Sequence, residues 1–133
     1  MQPNRLEICI RGMAPKPWAT GEIPWRRMVA NSCAEVTCID HDALSKVASF
    51  EVTLVFFLSP ARCQDTDLDN LAKPNLDTIF LIDRPQTKDG TLTGALVKRN
   101  DNAIRKLTLE KIPVHEPAEL GVDILVEWSP HLD

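Results

Sequence analysis

The stretch Phe50-Glu51-Val52-Thr53-Leu54-Val55-Phe56-Phe57-Leu58 constrains this fold more than any other. Successive side chains of an extended chain point to opposite faces, so Phe50, Val52, Leu54, Phe56 and Leu58 share one side. Val55 and Phe57 add apolar groups to the other side, and the strand is expected to be buried on both faces near its end. Pro60 stops it, having no amide hydrogen for a ladder. A strand of this kind belongs in the middle of a sheet, with other strands and helices built around it.

The rest of the chain supplies those partners. Leu6, Ile8 and Ile10 alternate with Glu7, Cys9 and Arg11, predicting a first strand. Pro24 suits the first turn of a helix, and Trp25, Met28, Val29, Cys33 and Val36 follow at helical spacing with Arg26 and Arg27 beside them. A second helix is expected to start between Asn70 and Pro74, since proline late in a helix costs about 3 kcal/mol. It carries Leu76, Ile79 and Phe80 toward the core. From Asp83 to Arg99 the pattern is lost; Pro85, Asp89-Gly90 and Gly94 mark turns, and a loop of this length is functional or mobile. Ile104 to Ile112 reads as a third strand, and Val122, Ile124, Val126 and Trp128 mark a fourth. The order β-α-β-α-β-β predicts an α+β fold: a mixed sheet of about four strands with two main helices. At 133 residues, the chain is expected to form a single domain spanning 1–133.

Composition narrows the class. Hydrophobic content of 44% and charged content of 26% match a soluble globular protein. The longest apolar run is too short to span a bilayer, no leader peptide is visible, and a cytoplasmic location without membrane contact is expected. The four cysteines, Cys9, Cys33, Cys38 and Cys63, form no C-x-x-C motif. His41 follows Cys38 by three residues, but that spacing alone is a weak zinc signal, and free thiols in a reducing compartment are the expected state. The net charge of −4 argues against a broadly basic nucleic-acid surface. Arg26, Arg27, Arg62, Lys98 and Arg99 nonetheless belong to local basic groups, read either as solvated faces or as phosphate contacts.

The acidic run Asp65-Thr66-Asp67-Leu68-Asp69-Asn70-Leu71-Ala72-Lys73-Pro74-Asn75-Leu76-Asp77 follows the central strand. On an extended segment Asp67 and Asp69 point the same way and converge. Crowded carboxylates repel unless a cation lies between them, and Mg²⁺ takes one or two carboxylates while keeping several waters. Helix capping is the competing role, but one cap needs one carboxylate. An EF-hand is excluded: Asn70 stands where the loop needs Gly, and Leu76 where it needs a bidentate Glu. Lys73 and Asp77 stand at i,i+4, the spacing of a helical ion pair.

The string Asp67 to Asp77 resembles the signature of the RusA family of Holliday junction resolvases, in which a strand leads into D-x-D-N-x-x-K and then a helix with a further Asp. A shorter acidic motif before the next strand is matched by Asn100-Asp101-Asn102-Ala103-Ile104, with Asn100 where the family has Asp. The resemblance covers about residues 5 to 112 in order of elements. It implies a RusA-like fold and a Mg²⁺-dependent, structure-selective endodeoxyribonuclease, with Mn²⁺ as a substitute ion. Asp67, Asp69 and Asp101 are implied as metal ligands, and with Lys73 as the catalytic set. Asn70, Asp77 and Asp65 are implied as supporting residues or further ligands. Arg26, Arg27, Arg62, Lys98 and Arg99 are the candidates for DNA contacts. A homodimer resolving four-way junctions by paired nicks, in recombination and repair, is the implied activity. The rival expectations are a related flap or fork nuclease, a weakly catalytic nucleic-acid-binding protein, and a structural divalent-ion protein.

Overall fold

The computed structural model describes residues 5–17, 22–36, 44, 46–80 and 101–128. These form strands β1 (Arg5–Arg11), β2 (Phe50–Leu58), β3 (Ile104–Pro113) and β4 (Gly121–Glu127), and helices α1 (Glu22–Ala34), α2 (Pro60–Asp65) and α3 (Leu68–Ile79). The class is α+β, and the four strands make one mixed sheet in the order β1-β4-β2-β3. β4 runs antiparallel to both β1 and β2, whereas β3 runs parallel to β2. β2 therefore lies inside the sheet, as its apolar content requires.

One face of the sheet carries the core. Ile8 and Ile10 of β1, Val52, Leu54, Phe56 and Leu58 of β2, and Val122, Ile124 and Val126 of β4 are buried. They pack with Trp25, Val29 and Cys33 of α1 and with Leu71, Ala72, Leu76 and Ile79 of α3. The other face is mixed and only half covered. There Arg11 lies over the Phe57 ring, 4.1 Å from its centroid, and pairs with Asp123 at 2.8 Å. Burial, the Asp123 hydrogen bond and the Asp123 charge push the neighbouring Cys9 thiol up, against the opposing effect of Arg11.

Two local expectations are corrected. Pro60 ends β2 but opens α2 rather than a loop: it occupies the first helical turn, and the Ser59 hydroxyl accepts from the Arg62 amide. The acidic residues are thus not on one extended segment. The helix expected to start between Asn70 and Pro74 begins at Leu68, leaving Pro74 inside it and buried. Burial of the ring with Leu71, Asn75 and Thr78 offsets the cost that argued for a later start. The expected segment from Asp83 to Arg99 lies outside the described residues, as do Cys38 and His41.

Candidate metal and phosphate site

The site is built at the crossing from β2 into α3. α2 ends at Asp65, and the Thr66 amide donates to the Arg62 carbonyl at 3.1 Å. Arg62 Nε donates to Thr66 Oγ1 at 3.0 Å, and that hydroxyl donates to Asp65 Oδ1 at 3.0 Å. From β3, Lys111 Nζ donates to the carbonyls of Cys63 at 2.6 Å and Thr66 at 2.9 Å. An ammonium on the last carbonyls of a helix satisfies acceptors that have no intrahelical donor. Asp65 and the residues before Asp67 are therefore fixed by long-range contacts, not left loose.

Asp67 occupies the N-cap position of α3, with extended φ −76° and ψ 138°, but its side chain makes no capping hydrogen bond. Asp69, in the first turn, accepts only locally, from the Asn70 amide at 3.0 Å. Both carboxylates are exposed. Asp69, Lys73 and Asp77 follow at intervals of four residues and so line one face of α3. Lys73 Nζ lies 3.3 Å from Asp77 Oδ2, with the lysine side chain 50% exposed and the aspartate 24%. Asn70 is exposed beside them.

Asp101 is placed elsewhere. It opens a 3₁₀ turn, Asp101–Ala103, that leads into β3. Ile104 pairs with Phe50 at the start of β2, whereas Lys111, which reaches Thr66, pairs with Phe56 near its end. The strand rises roughly 20 Å between those two positions. Within one chain, Asp101 therefore stands at the opposite end of the β2–β3 pair from Asp67 and Asp69. Among the described residues, no group of three or more His, Cys, Asp or Glu side chains is close enough to hold a metal ion. The described residues of one chain do not bring Asp67, Asp69 and Asp101 together around a shared cation. The reason is topological: a parallel β2–β3 pair returns the chain to the starting end of the sheet before β3 begins. Asp67 and Asp69 are two exposed carboxylates at the start of α3, the number of protein ligands that a largely hydrated Mg²⁺ takes.

The basic candidates divide. Arg27 is exposed on α1. Arg62 is half-buried and committed to Thr66 and, at 3.5 Å, to the Pro15 carbonyl. Arg26 is only 5% exposed, and its Nε donates to Thr78 Oγ1 at 2.8 Å. Arg26 and Arg62 thus direct their Nε donors to internal hydroxyls, whereas Arg27 lies on the surface. Lys98 and Arg99 lie outside the described residues. Lys111 was missed in the sequence, though a signal was present: it follows Leu107 and Leu109 on the same side of β3, where a third apolar residue would be expected.

Compared with known proteins, the chain matches no protein-family model and no curated protein sequence.

Proposed function

We propose that the chain is a Mg²⁺-dependent endodeoxyribonuclease of the RusA kind, acting on branched DNA such as a four-way junction. The observation that carries this reading is the state of Asp67: a carboxylate at a helix N-cap that caps nothing, two residues before a second exposed carboxylate at Asp69. Asp67 and Asp69 would hold the ion. When bound, it would polarise the scissile phosphate and lower the pKa of an attacking water. Lys73, one helical turn beyond Asp69, faces the same side and would neutralise charge that builds on the phosphate. Asp77 holds the Lys73 ammonium in place until the phosphate arrives. Two copies related by a two-fold axis would serve the two opposed strands of a junction, leaving 3′-hydroxyl and 5′-phosphate ends.

The test is metal-dependent cleavage of a panel of synthetic junctions, forks, flaps and linear duplexes. Asp69→Asn should abolish cleavage while leaving the fold intact and DNA binding equal or tighter, because one charge beside the phosphate is removed. Lys73→Ala should slow cleavage by about 10²-fold with little loss of metal affinity. Cleavage by Asp69→Asn at the parent rate would remove this residue from the metal site. The distance of Asp101 from the Asp67–Asp69 pair favours a second reading, a DNA-binding protein with weak or no cleavage. Junction binding in the parent without nicking in Mg²⁺ or Mn²⁺ would select it.

A further inference from the structure

The interface of α1 and α3 contains a polar core where an apolar seam would serve stability better. Trp25 Nε1 donates to Asn75 Oδ1 at 3.2 Å. Arg26 Nε donates to Thr78 Oγ1 at 2.8 Å, and Thr78 in turn donates to the Pro74 carbonyl at 2.8 Å. Arg26 Nη1 lies 3.7 Å from Glu22 Oε2. The third nitrogen, Nη2, is buried and has no hydrogen-bond partner among the described residues. A buried orphan donor on a charged group is costly, because its desolvation is not repaid by a bond. It persists where a second state of the protein satisfies it, or where function repays the cost.

A candidate acceptor for it lies on α3. Asp77 is the residue next to Thr78, which already holds the same guanidinium. Burial lowers the pKa of Arg26, and the opposing influence of Asp77 outranks that of Glu22, which stands only 3.7 Å away. Yet Asp77 makes its ion pair with Lys73. One carboxylate thus stands between two cations. One is half exposed on the face of α3 that carries Asp69; the other is sealed between helices.

We propose that Arg26 is a positioning residue for Lys73: its buried, unpartnered Nη2 offers Asp77 a second partner, and Asp77 passes from Lys73 to Arg26 when Lys73 is drawn to a phosphate. This rests on the reading of Lys73 as the phosphate-facing ammonium. The exchange removes a competing anion from Lys73 when its charge is needed. It also satisfies the orphan nitrogen, so the step that frees the lysine relieves a cost elsewhere. Without Arg26, an anion recruiting Lys73 would leave Asp77 without a cation.

Replacing Lys73 mimics its removal by a phosphate, and no DNA is needed. Arg26→Met, Asp77→Asn and the double variant are made in the parent and in a Lys73→Met background, and urea midpoints are measured for all. The double-mutant coupling between Arg26 and Asp77 should be small with Lys73 present and at least three-fold larger without it. Equal coupling in the two backgrounds would overturn the proposal, since a purely structural Arg26 would not sense Lys73. Should Arg26→Met fail to fold, Arg26→Lys keeps the charge without the fork and serves in the same cycle. A crystal structure of Lys73→Met gives an independent reading. Asp77 within hydrogen-bond distance of Nη2 supports the exchange; Asp77 beyond that distance overturns it. Junction cleavage by the parent decides the nuclease reading separately.

Discussion

Lys111 shows how one side chain shapes a site it need not join. Its ammonium holds the carbonyls of Cys63 and Thr66, two residues that flank Asp65. Hydrogen bonds from a charged donor contribute about 1.5–3 kcal/mol, more than neutral ones. Lys111→Met keeps the aliphatic stem but leaves both carbonyls without this donor, so stability should fall by about 2 kcal/mol. Lys111→Arg should recover part of that loss. Urea denaturation measures both, and an unchanged midpoint in Lys111→Met would mean that water replaces the ammonium at no cost. Gly121 sets a different kind of limit. A Cβ added there would run into the Ile10 carbonyl oxygen, main chain against main chain, so β1 and β4 can approach only because this residue has no side chain.

Helix α3 is where chemistry and strain meet. Pro74 gives no amide hydrogen to the Asn70 carbonyl, and Asn75 and Thr78 each return a side-chain hydrogen bond to the carbonyl four residues back, on Leu71 and Pro74, both at 2.8 Å. All three features favour bending of a helix. They lie between Asn70 and Thr78, in the segment whose face carries Lys73. Pro74→Ala should restore one backbone hydrogen bond and raise stability by about 1–2 kcal/mol, after allowance for the freer unfolded chain and the lost ring packing. Under the proposed activity, the straighter helix should cut more slowly. Thermal melts and cleavage rates measured together check the pair of effects; a stabilised variant with the parent rate would leave the proline a packing residue only. The strands were legible because β1, β2 and β4 alternate cleanly between core and open face. α1 was legible through its Trp25, Val29 and Cys33 stripe, yet the buried Arg26 within that stripe was not. Periodicity records position, and only the neighbouring helix shows that Thr78 waits there for a guanidinium. α2 was missed because Pro60 reads equally as a strand stop and as a helix start.

The order of the strands was the least legible property, and it governs the most. Local alternation carries no information about which strand neighbours which, so nothing in the sequence reading placed β4 between β1 and β2 or Asp101 far from Asp67. The proposed paired-nick chemistry needs two copies. Sedimentation at concentrations where junctions are cut should show a dimer, and a monomer alone under those conditions would contradict that chemistry. With a net charge of −4, DNA affinity should also depend on the ion, since bound Mg²⁺ offsets carboxylates that otherwise repel the phosphates. The position of β4 has a further consequence, for the making of the protein. Strands β1 and β2 share no backbone ladder; each pairs with β4, the last of the described elements to be synthesised. At about 5–20 residues per second, a ribosome takes on the order of ten seconds to go from Arg11 to Glu127. Throughout that interval the β1 and β2 edges that later flank β4 are open and cannot close on each other. A nascent chain of this protein is therefore a natural client for a chaperone that shields unpaired strands until translation has passed Glu127.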